Sequence, residues 1–308
     1  MRYFVTGASG WIGSAVVPEL LGAGHQVVGL ARSDESAAAL VAAGAEARPG
    51  SLDDLDVLGG VAAESDGVIH LAFKHELAFS GDFEAAASAD RAAVDTIGDA
   101  LAGTDKPFVI ASGCLGISPG HLATEEDGQA LIESPLLSQN GPSMRHATAL
   151  ATVALASRGV RSSVLRLPPT VHGDGDNGFM AHIVDLAKAT GVSGYTDDGA
   201  NRWPAVHRSD AARLFRLAAE GAPAGSTLHG VAEEGVTGLE IATAIGAHLG
   251  LPVEPVEADH FFWLGGFLSL DSPVSSAVTR RLLQWDPTGP GLLDDLGKEY
   301  YYRDTAAG

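Results

Sequence analysis

Cysteine is almost missing from this chain of 308 residues. Cys114 is the single one, so no internal disulfide can form and a cysteine-built metal site is excluded. Basic residues are scarce as well: 19 Lys and Arg stand against 39 Asp and Glu, a formal charge of −20. Such a surface repels a phosphate backbone and an anionic leaflet, because it has little with which to replace their counterions. Neither nucleic acid nor membrane is expected as a partner. Long apolar runs are missing too. The N-terminus offers only Arg2 and the run Tyr3 to Val5 before polar and glycine residues, too little for a signal segment. The aromatic stretch "HFFWLGGFLSL" (260–270) is eleven residues long, too short to span a bilayer. It reads as a helix at the substrate lobe, an apolar substrate wall or a subunit contact. A reducing cytoplasm is the expected compartment. No metal is expected: "HGDGDNG" (172–178) lacks the closing glutamate of a calcium loop and reads as a turn.

What is present is strict alternation. The runs "YFVT" (3–6), "QVVGLAR" (26–32), "AEARPG" (45–50), "GVIHLAF" (67–73), "PFVIASG" (107–113) and "RSSVLRLP" (161–168) read as strands. Alanine-rich amphipathic segments at 14–24, 34–43, 53–64, 83–102 and 144–158 read as helices between them. Strand and helix in turn imply right-handed crossovers and a doubly wound parallel sheet covered on both faces, a Rossmann-type α/β fold. After Pro168-Pro169 the pattern loosens. Helices are predicted at 179–190, 209–220, 237–249, 258–270, 275–284 and 291–302, and a core strand at "TLHGVAE" (227–233). The expected division is a dinucleotide-binding core over 1–168, completed by about 204–233, with a smaller substrate lobe from 169–203 and 234–308.

The stretch "TGASGWIG" (6–13) sits where a first strand turns into a first helix. Gly7 suits the tight turn, Gly10 lets backbone approach a pyrophosphate, and Gly13 lets helix and strand pack closely, while the helix N-terminus supplies free N–H groups. At the end of the second strand, where an NAD site places an acidic residue on the ribose 2′-hydroxyl, the chain reads "ARSD". Arg32 there suits a 2′-phosphate, so NADP(H) is expected over NAD(H); Asp34 reads as the N-cap of the next helix.

Together "TGASGWIG", "ARSD", "VIHLAF", "ASG", "RGVRSSVLRLPPTVHG" and "AVHRSDAARLF" resemble the extended or atypical short-chain dehydrogenase/reductase superfamily, in its NAD-dependent epimerase/dehydratase branch. The resemblance covers roughly 1–235. It implies a cofactor held by Gly7, Ser9, Gly10, Trp11, Ile12 and Gly13 of the loop. It also assigns to that cofactor Arg32 and Ser33, Leu52, Leu71 to Phe73 (with Ala72), Ser112, Arg145 and Pro168. It implies a homodimer as well, because core helices of this superfamily often pair.

The superfamily's chemistry rests on a Tyr-x-x-x-Lys pair after the fifth strand and a serine on that strand. Ser112 is at the serine position. The five tyrosines (3, 195, 300, 301 and 302) lack a Lys or Arg four residues on, and alignment back from "RGV" puts Gly141 at the tyrosine position and Arg145 at the lysine position. Arginine does not give up its proton near neutrality, so another acid is needed. His172 in "TVHG" or bound water is the expected one, with His146, His207, Lys74 and His75 as further titratable candidates, each of which can also be a structural group. Lys74 and His75 add charge at the cofactor edge and are candidates for the substrate mouth, His70 is read as structural, and Ser51 stands where the family has an aspartate near the adenine. The expected function is NADP(H)-dependent oxidation or reduction of a small carbonyl or alcohol substrate, with Ser112, Arg145 and His172 in the chemistry. A redox-neutral epimerase or lyase, and a non-catalytic cofactor sensor, are the alternatives.

Overall fold

Consecutive residues of the first-half runs are buried on opposite sides of one sheet. A computed structural model describes residues 1–128 and 141–303. In it β1 (Arg2–Thr6), β2 (Gln26–Ala31), β3 (Glu46–Pro49), β4 (Gly67–His70), β5 (Pro107–Gly113), β6 (Arg161–Leu167) and β10 (Ser226–His229) form a seven-stranded sheet in the order β10-β6-β5-β4-β1-β2-β3. Every neighbouring pair is parallel. Phe4, Phe108 and Val164 pack on one face with Leu58 and Ile97 from α3 (Leu55–Glu64) and α5 (Phe83–Leu101). Val5, Val109 and Leu165 pack on the other with Leu20 and Phe215 from α1 (Gly13–Gly22) and α8 (Arg208–Gly221). Burial on both faces is why these strands read as continuous apolar runs and not as alternation. β1 is flanked by β2 on one side and β4 on the other, so the chain reverses direction of travel there and leaves a crevice at the carboxyl ends of the strands.

Two strand predictions are shortened. The run 67–73 leaves the sheet after His70 because Thr6 Oγ1 accepts the amide protons of Leu71 (3.2 Å) and Ala72 (3.3 Å), turning the chain out towards α4 (His75–Phe79). The run 227–233 splits between β10 and β11 (Glu233–Thr237), which belong to different sheets. The second lobe holds short strands that the sequence pattern did not resolve. β7 (Thr170–His172), β9 (Arg202–His207) and β11 form a three-stranded sheet, and β8 (Ser193–Tyr195) pairs with β12 (Val253–Pro255). Around them lie α7 (Phe179–Thr190) and α9 (Gly238–Leu249). The predicted helix at 258–270 breaks at Phe262, whose φ of 52° and ψ of −126° are non-helical. A 3₁₀ stretch (Ala258–Leu264) precedes the break's far side and α10 (Gly265–Leu268) follows. Further on come α11 (Ala277–Leu283) and α12 (Leu292–Leu296). Among the described residues no helix is long and apolar enough to cross a membrane, and no group of His, Cys, Asp or Glu could hold a metal ion.

Candidate active site

The glycine loop has little room for side chains. Gly7 sits at φ 65°, and a Cβ there would lie 2.8 Å from the Ala72 amide nitrogen; a Cβ on Gly13 would lie 2.0 Å from Gly7 O. Gly10 instead faces open space apart from Gly7 O at 3.2 Å. The backbone N–H groups of Trp11, Ile12 and Gly13 find no acceptor among the described residues. They crown α1, whose first turn has no side-chain cap. Uncapped donors, the positive end of the helix and one side kept clear by Gly10 make an anion cradle. The Trp11 indole plays a different part: its Nε1–H donates to Val171 O (2.9 Å), and the Arg208 guanidinium stacks 4.2 Å above its ring. The loop is thus tied to β7 of the second lobe.

At the end of β2, Arg32 reaches across to Glu76 (3.0 Å), both side chains being largely exposed at 71 % and 82 %. Ser33 is the N-cap of α2 (Asp34–Ala42) and forms a capping box with Ser36, so its hydroxyl is spent on the helix. This corrects the assignment of the cap to Asp34, which is the first helical residue. Lys74 bonds both carboxylate oxygens of Asp53 at 2.7 Å. That contact turns Lys74 towards the loop that follows β3. Leu52 is buried. The Ser51 amide and hydroxyl both donate to Asp54, and these bonds hold the Asp54 carboxyl below its usual range.

The middle of the crevice is fixed by a buried relay. Because Thr6 Oγ1 accepts two amide protons, its own proton goes to His70 Nδ1 (2.9 Å), and His70 Nε2–H then donates to Asp90 Oδ1 on α5 (3.1 Å). His70 is structural, as its strand-end place suggests. The relay holds the segment Leu71, Ala72 and Phe73. Over the Phe73 ring, 4.1 Å from its centroid, lies the guanidinium of Arg145, which also donates to Ala111 O (3.3 Å). Burial pulls the Arg145 pKa below the ordinary arginine value, and the charge of Asp90 works against that shift. Arg145 comes from α6 (Gly141–Ala154), whose first residue is the glycine at the family's tyrosine position. Ser112, buried at the end of β5, has no hydrogen bond to its hydroxyl among the described residues. Pro168 is buried between β6 and β7.

The expected proton donor is elsewhere. His172 is fully buried on β7, donates from Nδ1 to Asp295 Oδ2 (2.7 Å), and has its Nε2 enclosed without a partner among the described residues. Asp295 also takes the hydroxyl proton of Tyr300. A ring sealed beneath α12 cannot exchange protons with a substrate at Ser112, because the inward register of β7 points it into the lobe. His207 accepts from the Ser209 amide and hydroxyl and caps α8. His146 donates to Gly128 O (2.5 Å). His75 remains beside the site, its ring 5.1 Å from Phe73, its pKa pushed down by burial and then by Arg145.

The sequence reading missed Asp90 and a polar row across the sheet. Ser112 is in register with Arg166 of β6, and Arg166 with His229 of β10. Arg166 donates to Asp127 O (2.7 Å) and faces His229 Nε2 (3.4 Å), while His229 Nδ1–H donates to Ser275 O (2.8 Å). Glu125 accepts from the Thr279 amide and hydroxyl. These groups fasten the 123–128 turn and α11 under the end of β6. An arginine within the apolar run "RSSVLRLP" was the available signal.

A model of the NAD dependent epimerase/dehydratase family matches residues 3–228. An uncharacterized protein of Schizosaccharomyces pombe is 46 % identical over 307 residues, covering 98 % of this chain and 100 % of its own length. Among solved structures, the dTDP-glucose 4,6-dehydratase DesIV of Streptomyces venezuelae, with NAD and TYD bound, superposes with a TM-score of 0.77 at 20 % identity, over 99 % of this chain and 98 % of its own. UDP-glucose 4-epimerase of Thermotoga maritima, with UDP-glucose, gives 0.76 at 18 % identity over the whole of both chains. At such identities the two structures speak for the fold alone.

Proposed function

The chain belongs to the NAD dependent epimerase/dehydratase family and is an NAD(P)-dependent epimerase/dehydratase-like enzyme; from that premise we propose that it is an NADP(H)-dependent oxidoreductase acting on a small or mid-sized carbonyl or alcohol. The observation that carries this reading is Arg145, stacked on Phe73 and bonded to Ala111 O, one residue along β5 from the Ser112 hydroxyl. The residues fit a dinucleotide. Gly10 keeps one side of the anion cradle clear and Gly13 tolerates no side chain, while Arg32 stands at the 2′ position of the adenosine end. When bound, the nicotinamide supplies or accepts a hydride.

The chain's own part is binding and polarisation. Trp11, Ile12 and Gly13 present N–H donors to a pyrophosphate. Arg145 presents flat, parallel donors to ribose hydroxyls or to the reacting oxygen, and its charge stabilises negative charge developing there. Ser112 donates its free hydroxyl to the same oxygen. Neither group loses a proton in doing so, and with His172 sealed the proton of the reaction passes to or from water, His75 being the titratable ring that packs against Phe73 under Arg145.

The test is calorimetric titration of nucleotide-stripped protein with NADPH and NADH, followed by a carbonyl panel at saturating cofactor. Tight, NADPH-selective binding is expected. So is reduction that falls about 10²-fold or more on loss of either oxyanion donor in Ser112→Ala or Arg145→Ala. Cofactor binding with no hydride transfer across the panel would refute the oxidoreductase reading, and no binding of either nucleotide would refute the cofactor assignment with it.

A further inference from the structure

The second lobe ends in an aromatic ledge beside the catalytic strand. Phe179, Trp263 and Phe267 lie with ring centroids 5.7–6.3 Å apart, and Trp203 stands 5.8 Å behind Phe179. The ledge is open to solvent, with Trp263 48 % and Phe267 37 % exposed, and Phe262, the residue before Trp263, is 76 % exposed. It is also continuous with the site already described. Leu115, three residues past Ser112, packs into the same cluster as Phe179 and Leu268, and the Gly116 amide donates to Ser272 Oγ (3.0 Å) at the far end of the ledge segment.

Two further observations say what belongs on it. The backbone at Phe262 (φ 52°, ψ −126°) is one that a bulky side chain adopts only under strain. The turn is held by Gly265, where a Cβ would lie 1.9 Å from Ala258 O. The fold therefore keeps a large apolar ring out in water at a conformational cost. The second is charge. Arg202, next to Trp203, is bound through two nitrogens to both carboxylate oxygens of Asp271, and Glu257 and Asp259 flank the ledge in sequence. A phosphate arriving there would meet carboxylates and a cation already neutralised.

We propose that Phe179, Phe262, Trp263 and Phe267 form the apolar wall of the substrate site, and that the substrate is an uncharged, ring-bearing carbonyl or alcohol, not a nucleoside diphosphate sugar. This deepens the reading above and rests on it for the position of the reacting oxygen. Flat rings packed together with exposed surface offer stacking and apolar area without a charge to satisfy.

The test separates binding from turnover. Calorimetry of the full chain, with and without NADPH, uses 2-naphthylmethanol and UDP-glucose as probes, with Phe267→Ala and Phe262→Gly as variants. Saturable binding of 2-naphthylmethanol is expected, weakened at least tenfold in Phe267→Ala and in Phe262→Gly, while NADPH affinity stays within twofold. Glycine accepts the dihedrals of residue 262, so Phe262→Gly should keep or raise Tm while losing affinity, which a merely structural ring would not do. Tighter binding of UDP-glucose than of the naphthyl probe, or naphthyl affinity untouched by both variants, overturns the proposal. So does sedimentation showing a dimer that Phe262→Gly dissociates, for the ledge would then be a contact between copies. Wall-dependent binding without hydride transfer would sink the oxidoreductase reading and leave the wall standing.

Discussion

Removing the carboxylate of Glu76 should tighten NADPH binding, although no contact to the cofactor is added. In the free protein Glu76 neutralises Arg32 through a bond of 3.0 Å between two side chains that are mostly in water. Exposed pairs of this kind contribute about 0.2–1 kcal/mol, which is the cost of freeing Arg32 for a 2′-phosphate. Glu76→Gln removes that cost, and the gain corresponds to about 1.5- to 5-fold in Kd. Arg32→Ala removes the receiving group. Hydrogen bonds to charged partners contribute about 1.5–3 kcal/mol, so NADPH affinity should fall roughly 10- to 150-fold, with NADH nearly unchanged. The assay is titration calorimetry of both nucleotides at two salt concentrations, where the NADPH advantage should shrink as salt screens the exposed charges. Equal losses for NADH and NADPH in Arg32→Ala, or weaker NADPH binding in Glu76→Gln, would refute the reasoning.

Other perturbations test the rest of the site. Gly13→Ala forces a methyl to within 2.0 Å of Gly7 O, backbone against backbone; we expect a loss of about 1–3 kcal/mol or more from overpacking, together with abolished dinucleotide binding, read by thermal melting and calorimetry. Asp295→Ala leaves the buried His172 Nδ1 and the part-buried Tyr300 hydroxyl without their acceptor. Leaving a buried donor unsatisfied costs about 1–3 kcal/mol, which at an unfolding entropy of about 2.1 cal/mol/K per residue lowers Tm by about 2–5 °C for 308 residues. Burial depresses the pKa of His146, His207 and His229 in the fold. Between the folded and unfolded values the unfolded chain binds more protons, so stability is full above the unfolded pKa of about 6.5 and is lost as pH falls through the lower, folded values. Urea melts from pH 8 to 5 should show that loss, and His229→Asn should reduce its slope.

The parallel core was legible in the sequence because strands buried on both faces leave long unbroken apolar runs, and because Gly7 and Gly13 mark places where backbone touches backbone. The second lobe was less so. Three-residue strands such as β7 and β8 carry too few alternations to declare a period, and the break at Phe262 is marked only by Gly265 and Gly266, three and four residues further on. Ser112 was picked out by its place on the fifth strand and Arg145 by counting back from "RGV". His172 misled for a physical reason: "TVHG" gives the residue's place along the chain, while the face it occupies is set by how β7 docks on β9 and by an aspartate 123 residues away. Asp90 was invisible for the mirror-image reason, a carboxylate in the middle of a helix whose partner lies on β4.

The bond from the Trp11 indole to Val171 O joins the loop proposed to receive the nucleotide to a strand of the lobe proposed to receive the substrate. Any shift of the loop on filling pulls on β7, and any movement of the lobe around a substrate pulls on the loop. Two ligands coupled in this way must change each other's affinity by the same factor. A Trp11→Phe enzyme, which keeps the ring and loses the donor, would let the two occupancies drift apart. Order of addition, usually assigned to which ligand blocks the other's path, would here be a property of one hydrogen bond.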